Sequence, residues 1–189
     1  GTLVSTTVSD IAVINGNNLS STGLNIVINS AGACYAELER VSFTSFLIFG
    51  NGEKTIKINK IDTSSAIAIN NGDNTTMYLG YAKVDTISSG TGLFEGSNFY
   101  LEFDTMIIGG PSAVFNVENN NIIKGGYLTY SGTPSGSGFI ATIRSSNFRI
   151  NINNIRSNVA NSLTQVVFPS PGNTSSGEFY VDEMFNTTG

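Results

Sequence analysis

Apolar residues recur along the chain in short alternating runs. Each run has the form apolar, any, apolar, any, any, apolar. The copies are Ala36/Leu38/Val41, Ile56/Ile58/Ile61, Leu79/Tyr81/Val84, Leu101/Phe103/Met106, Ile123/Gly125/Leu128, Ile150/Ile152/Ile155 and Phe179/Val181/Met184. Alternation with a period of two is typical of a strand, whereas a helix needs a 3.6-residue period over about ten residues. The copies are spaced by about 22 residues, which predicts a repeated strand-based unit.

A second apolar stretch follows each copy, and turn-forming residues follow the stretch. The stretches cover residues 24–28, 46–49, 66–69, 93–94, 113–117, 139–143 and 166–168. Gly50-Asn51-Gly52 and Asn119-Asn120-Asn121 are two of the turn segments. Two or three strands per repeat are therefore expected. A weaker copy, Ile11/Val13/Gly16, extends the array into a less regular first coil at residues 1–30.

A sharp corner is expected between the second and third apolar positions of each copy. The first intervening residue is one that tolerates the left-handed conformation in five copies: Asn59, Asp104, Gly126, Asn153 and Asp182. We predict an all-β fold, a right-handed single-stranded parallel β-helix of about seven to eight coils. It would form one domain over residues 1–189. Eight coils at a spacing of about 4.8 Å give a rod of roughly 38 Å.

The strand period also assigns side chains to faces. One inward column is predicted to hold Cys34, Met77, Phe99 and Phe148, so Cys34 is expected to be a buried, inert thiol. It is the only cysteine of the chain, and the chain has no histidine. The usual zinc and haem ligand sets are therefore excluded, and we expect no cofactor and no metal site.

Two outward tyrosines are the candidates for carbohydrate binding. Tyr78 and Tyr100 take the same offset in adjacent coils, which predicts two rings about 4.8 Å apart. Such a pair suits the face of a sugar ring, and the alternative is a cross-strand packing contact or a contact between subunits.

Two pairs of carboxylates are the catalytic candidates. Glu102 and Asp104 alternate on one strand and would lie roughly 6.5 to 7 Å apart, a separation that allows acid–base chemistry on a glycosidic bond. Asp62 and Asp85 share an offset in neighbouring coils and form a closer pair, in which repulsion would raise one pKa. The alternative is that all four are ordinary solvated surface carboxylates.

Lysines and arginines follow similar columns. Arg40, Lys60 and Lys83 would form a basic stripe beside Asp62 and Asp85, which suits either an acidic sugar or simple charge balance. The pairs Glu37/Lys57 and Glu102/Lys124 are expected to form ladders of weak surface ion pairs.

Charge and hydropathy narrow the range of partners. The chain has 9 Lys and Arg against 14 Asp and Glu, a net charge of −5, and no basic run, so nucleic acid is not an expected partner. No apolar stretch reaches the roughly 20 residues of a membrane span, and membrane insertion is not expected.

Coils of this length, with an Ile-rich interior and Asn/Gly-rich corners, resemble the pectate-lyase-like β-helix superfamily. The tailspikes and tail fibres of bacteriophages are the most similar members. The resemblance implies a homotrimer that binds host surface polysaccharide, and some members of that group cleave it. A non-enzymatic structural or receptor-binding fibre segment is the expected function, in contact with neighbouring fibre or tail segments. The expected location is the virion tail appendage or the outside of a cell.

Two alternatives on the same fold stay open. One is a polysaccharide depolymerase, either a glycoside hydrolase or a lyase, and the other is a bacterial surface adhesin. The sequence shows no capping element at either end of the array, which indicates that further segments continue the stack or that copies assemble side by side. Long insertions near residues 132–138 and 169–177 are the expected places for a partner to bind.

Overall fold

A computed structural model describes residues 12–20, 25–29, 33–42, 45–49, 52–66, 69–87, 93–109, 114–131, 141–143, 147–157, 166–167 and 176–186. Every regular element in these ranges is a strand. In chain order they are β1 (Ala12–Ser20), β2 (Asn25–Asn29), β3 (Cys34–Ser42), β4 (Ser45–Phe49), β5 (Lys54–Thr63), β6 (Asn70–Asn71), β7 (Thr75–Val84), β8 (Phe94–Gly96), β9 (Tyr100–Ile108), β10 (Phe115–Val117), β11 (Ile122–Tyr130), β12 (Ala141–Ile143), β13 (Phe148–Ser157), β14 (Val166–Val167) and β15 (Gly177–Asn186). No helix in these ranges is long and apolar enough to cross a membrane.

The chain alternates between one long sheet and two shorter ones. The long sheet has eight strands in the order β1-β3-β5-β7-β9-β11-β13-β15, and the shorter sheets have the orders β14-β12-β10-β8-β6 and β2-β4. All of these pairings are parallel. The predicted all-β class is confirmed, and the sheet order is compatible with a parallel β-helix.

The core lies between the long sheet and the short strands. Ile56, Ile58 and Ile61 of β5 point into it and are at most 1% exposed. Aromatic rings join the two layers. Phe94 and Phe115 come from the short strands, and their rings lie 6.1 Å from Phe99 and 6.4 Å from Phe103, respectively.

The register of β7 differs from the predicted one by two residues. Met77 and Leu79 stand opposite Leu101 and Phe103, and Ala82 stands opposite Met106. The residues Leu79, Tyr81 and Val84 have the same apolar spacing as Met77, Leu79 and Ala82. Spacing alone therefore gave a register for β7 that is two residues off. Because each copy contains a three-residue step, the shift keeps most side chains on their face but turns Tyr81 toward the outside and Ala82 into the core.

The inward column of Cys34 is more polar than predicted. Cys34 is 4% exposed, as expected, and its burial raises the pKa of the thiol against the opposing effect of Lys54. Its neighbours in the column are Lys54 and Thr75 rather than Met77. Lys54 is 2% exposed, its Nζ donates to the Gly52 carbonyl at 2.6 Å, and burial lowers its pKa.

The left-handed corners are not where the sequence placed them. Asn59, Asp104, Gly126, Asn153 and Asp182 all lie inside strands of the long sheet. The residues other than glycine with positive φ in the described ranges are Asn74, Asn98, Asn120 and Asn147, with φ between 52° and 65°.

Three of these asparagines are joined by a side-chain ladder. Asn98 Nδ2 donates to Asn74 Oδ1 at 2.9 Å, and Asn120 Nδ2 donates to Asn98 Oδ1 at 2.9 Å. Asparagine adopts the left-handed region at low cost, and its amide can donate to one neighbour and accept from the other. The ladder therefore fixes the stacking of successive corners.

Candidate functional site

The outer surface of the long sheet carries two adjoining grooves. The first has a volume of about 410 Å³ and the second about 300 Å³, and they share Glu102 and Asp104. We call the combined feature the trough. Its lining comes from residues 37–39, 57–59, 78–80, 102–104 and 124–126, Asn151 and Asn153. It crosses six strands from β3 to β13, a length of about 24 Å at the usual strand spacing.

The trough follows an interruption in the strand pairing. The register of β3 and β5 passes from Leu38/Ile58 directly to Arg40/Lys60. The interruption falls at the positions that were expected to be left-handed corners. Gly80 lies in the trough at this point, and a Cβ there would come within 2.6 Å of the Asn59 carbonyl oxygen. Glycine therefore lets the strands approach closely and leaves the floor open.

Tyr78 and Tyr100 lie close together, but not as a flat pair. Tyr78 stands opposite Glu102, and Tyr100 stands opposite Thr76, because of the shifted frame of β7. The two ring centroids are 5.9 Å apart with planes inclined by 54°. Tyr78 lines the trough and is 39% exposed, so part of its side chain is available to a ligand.

Glu102 and Asp104 both point out of β9 into the trough, as the alternation predicted. The Tyr100 hydroxyl donates to Glu102 Oε2 at 2.5 Å. That hydrogen bond is the main reason why the pKa of Tyr100 rises to about 12. The Asp104 carboxylate has no hydrogen bond or ion pair with any residue that the structure describes.

Asp62 and Asp85 do not stand opposite each other, so the predicted register of this pair was wrong. Asp62 stands opposite Lys83, again because of the frame of β7. Each aspartate has its own lysine: Lys60 Nζ lies 3.7 Å from Asp62, and Lys83 Nζ lies 2.8 Å from Asp85. None of these four residues lines the trough.

The predicted basic stripe is also interrupted. Arg40 stands opposite Lys60, but the next residue in that column is Tyr81 rather than Lys83. Lys60 Nζ lies over the Tyr81 ring, 5.3 Å from its centroid. With Lys83 opposite Asp62, the cations are spread among an aromatic ring and two aspartates, and no continuous site for an acidic sugar forms.

A Tyr–Glu–Lys triad occurs twice along the trough. In the first triad the Tyr35 hydroxyl donates to Glu37 Oε2 at 2.6 Å, and Lys57 lies over the Tyr35 ring at 5.6 Å. The second triad repeats these relations with other residues: Tyr100, Glu102 and Lys124, with Lys124 over the Tyr100 ring at 5.5 Å.

The side chains of the triads are arranged differently from the predicted ladders of ion pairs. Glu37 stands opposite Lys57, and Glu102 opposite Lys124, as predicted. The lysines nevertheless lie over tyrosine rings, and no ion pair joins them to the glutamates. The sequence did carry a signal for this arrangement. Tyrosine precedes each glutamate by two residues, so the two side chains share a face of the strand.

Other predicted regions fall outside the description or hold no cluster. Residues 132–138 and most of 169–177, the expected partner-binding insertions, are not among the described residues. Within the part of the chain that the structure describes, no three His, Cys, Asp or Glu side chains are grouped so as to hold a metal ion.

The fold and the trough define an all-β protein of stacked parallel strands with an elongated, acidic and aromatic surface groove. No protein-family model, curated protein or solved structure matches the chain.

Proposed function

We propose that the chain is a right-handed parallel β-helix that serves as a non-enzymatic, glycan-binding segment of a fibre. The fibre would be of the bacteriophage tail-fibre or tailspike kind, a virion appendage that contacts host surface polysaccharide. The trough is the observation that carries this proposal, because it runs along the stacking direction over six strands.

The sheet order supports the coiled form. Successive strands of the long sheet are separated in the chain by strands of the short sheets, and every described pairing is parallel. A chain that returns repeatedly to the same sheet in parallel makes right-handed connections almost without exception. These two observations support the proposal of stacked coils of one hand.

The shape and chemistry of the trough suit a linear glycan. Its carboxylates and the amides of Asn59, Asn151 and Asn153 can hydrogen-bond to sugar hydroxyls. Tyr78 offers exposed aromatic surface on which sugar C–H groups can pack. The trough is open to solvent along its length, which favours binding over chemistry that requires water to be excluded.

Exposed apolar side chains support assembly into a fibre. Tyr127 on β11 is 53% exposed, and Tyr180 and Met184 on the edge strand β15 are 58% and 46% exposed. An edge strand with apolar side chains is a template for a further strand, and exposed apolar side chains often mark contacts between proteins. A homotrimer in line with neighbouring fibre segments would cover them.

Glycan binding is the direct test. The purified chain should bind surface polysaccharides on an array of bacterial glycans, and Tyr78→Ala should weaken binding about tenfold. Tyr81→Ala removes a tyrosine that lies outside the trough and serves as the matched control. If no glycan binds, or if both variants behave alike, the proposal is wrong.

A polysaccharide depolymerase is the second candidate, and one observation favours it. Glu102 and Asp104 share the trough on alternate positions of β9, roughly 6.5 to 7 Å apart, within the range of inverting glycosidases. Release of new reducing ends from a bound polysaccharide, abolished by Asp104→Asn without loss of binding, would establish cleavage. A bacterial surface adhesin would present the same trough and is distinguished only by its source.

A further inference from the structure

The strand β15 leaves the inward columns of the long sheet uncovered. Met184 is 46% exposed, whereas Ile155 of β13, its neighbour in the same column, is 0% exposed. Phe179 and Val181 are only partly buried, although their column neighbours on β13 are also 0% exposed. Within the part of the chain that the structure describes, β15 pairs with a strand on one side only. An edge strand of this kind is a template for a further strand.

The strand at the opposite edge of the sheet, β1, has the register that would complete those columns. Followed from strand to strand, the pairings place Ile14 in the column of Phe179 and Leu19 in the column of Met184. Both residues stand opposite residues of β3 that are 0% exposed. The two outer edges of a parallel sheet are complementary in their hydrogen-bonding groups. The β1 strand of a second copy can therefore add to β15 in the register of the whole sheet.

The charges of the two edge strands favour this pairing over the pairing of like edges. The sequence of β15 contains Glu178, Asp182 and Glu183 and no basic residue, whereas that of β1 contains no charged residue. Two β15 strands side by side would bring the carboxylates of both copies together, which is destabilising. Two β1 strands side by side would leave Met184 uncovered. The pairing of β15 with β1 avoids both costs.

A polar column of the sheet supports the same pairing. It follows the interruption in the strand pairing, and its members in order are Asn17, Glu39, Asn59, Gly80, Asp104, Gly126, Asn153 and Asp182. No two carboxylates are neighbours in this column, and Glu39 Oε1 accepts a hydrogen bond from Asn59 Nδ2 at 2.7 Å. A second copy added through β1 would place Asn17 beside Asp182. The separation of carboxylates by uncharged residues would then continue into the second copy.

We infer that β15 binds β1 of a second copy, so that copies join end to end and the parallel sheet continues from one copy into the next. We call this contact the junction. The inference rests on the proposed fibre function, and it names the partner and the contact along the fibre axis. A contact between two different surfaces that does not close into a ring produces a filament. Trimers formed side by side through other surfaces would stack by repeating the junction in every chain.

Light scattering over a series of protein concentrations tests the junction. In dilute solution we expect the trimer mass, and at higher concentration the mass should rise in multiples of it. Electron micrographs should show rods that lengthen by about 38 Å per copy, which is eight strand spacings. Met184→Lys should hold the protein at the trimer mass, because it buries an unpaired ammonium group at the junction. Ile122→Lys makes the same change at a 39% exposed residue of β11, away from both edges, and should leave the growth unchanged.

A pair of substitutions at opposite edges of the sheet identifies the partner strand. Asn18→Asp places a carboxylate beside Glu183 of the next copy and should weaken end-to-end association about threefold to fivefold. Adding Glu183→Gln to the same chain should restore the association, whereas adding Asp62→Asn on β5 should not. Within one copy, β1 and β15 are seven strand spacings apart, about 34 Å, which is several Debye lengths at physiological salt. The two substitutions can therefore compensate each other only across a junction.

A mass that does not rise with concentration would overturn the inference, while the glycan array decides the proposed function separately. A mass that doubles once and then stays constant would indicate pairing of like edges and would also overturn it. The same holds if Ile122→Lys blocks growth as strongly as Met184→Lys, or if Glu183→Gln fails to restore the Asn18→Asp variant. Growth that starts from monomers would support the junction and rule out only the side-by-side contact.

Discussion

Tyr100 shows how one hydrogen bond can tune a residue of the trough. Its hydroxyl donates to Glu102, and the pKa of Tyr100 rises to about 12 from the ordinary 10.0 because ionisation would end that bond beside a carboxylate. A raised pKa in the folded state means that the pair stabilises the fold fully below pH 10. The contribution is lost as the pH rises through about 12.

Glu102→Gln is therefore predicted to lower the pKa of Tyr100 toward 10, because the charged acceptor is gone. NMR titration of ring-labelled tyrosine measures it, with the Tyr100→Phe variant to assign the signal. Asp104→Asn removes a charge on the same strand without touching the hydroxyl and should leave most of the shift in place. An unchanged pKa in Glu102→Gln would show that the hydrogen bond is not its cause.

Residue type predicts burial well except where a polar group finds its own partner. The alternation in the sequence correctly placed Ile56 and Leu101 inside and Glu102 and Asp104 outside. The same alternation puts Lys54, two residues before Ile56, on the inward face, but it gave no indication of the partner of the Lys54 amine, which is the Gly52 carbonyl at 2.6 Å. Partners of this kind depend on how the turn folds and are not encoded in a two-residue period.

At the scale of the strands, the left-handed asparagines indicate the register of β7, which the apolar pattern alone did not determine. Asn74 and Asn98 are 24 residues apart, and so are Met77 and Leu101, which stand opposite each other. Asn120 and Asn147 likewise precede Ile123 and Ile150 by three residues each, and those two also stand opposite each other. Aligning the repeats on their left-handed asparagines therefore gives the observed register. Aligning them on the last apolar residue of each copy allows two registers for β7, which differ by two residues.

Asn98 is the ladder residue with a side-chain bond on both sides, and its replacement tests this role. Asn98→Ala should lower the free energy of unfolding by about 2 kcal/mol, from two lost hydrogen bonds and the left-handed φ of 54°. Asn98→Gly should cost only about half as much, since glycine accepts that φ. Urea unfolding gives both values.

Asn59→Ala is the control for the ladder, because this exposed asparagine lies inside β5 and bonds only Glu39 among the side chains. Its cost should stay within about 0.5 kcal/mol. If alanine at position 98 is no worse than alanine at position 59, the ladder does not stabilise the stack.

Gly125 explains a gap in an otherwise apolar inward column. A Cβ at this position would lie 2.1 Å from Phe103 Cζ, so the Phe103 ring occupies the space that a side chain would need. Gly125→Ala is predicted to lower the free energy of unfolding by about 1–3 kcal/mol through overpacking. In the Phe103→Leu background the same change should cost much less, because the shorter side chain vacates that space. Urea unfolding of the four proteins in the cycle measures the coupling, and additive costs would contradict this packing.

At the scale of the whole molecule, the interior determines how the strands stack, whereas the outer surface forms the candidate binding site. The interior of the long sheet is apolar over most of its columns, and it fixes how the strands stack. The trough arises on the outside from the interrupted pairing, Gly80 and the repeated triads. The sequence predicted the stacking and the positions of Glu102 and Asp104. The trough itself depends on which residues meet across strands, and that required the true register.

The remaining outer surface leads to the last prediction, which concerns assembly. Tyr127 is 53% exposed and lies outside the trough, so it is available to contact a second copy. Light scattering should give three times the chain mass of 20.0 kDa. Tyr127→Glu should shift the protein toward monomer because burying an unpaired carboxylate at an interface is costly. Tyr78→Ala, a change within the trough, should leave the trimer intact. A monomeric wild-type chain would rule out self-assembly through this surface and leave the trough as the site of a single-chain glycan-binding protein.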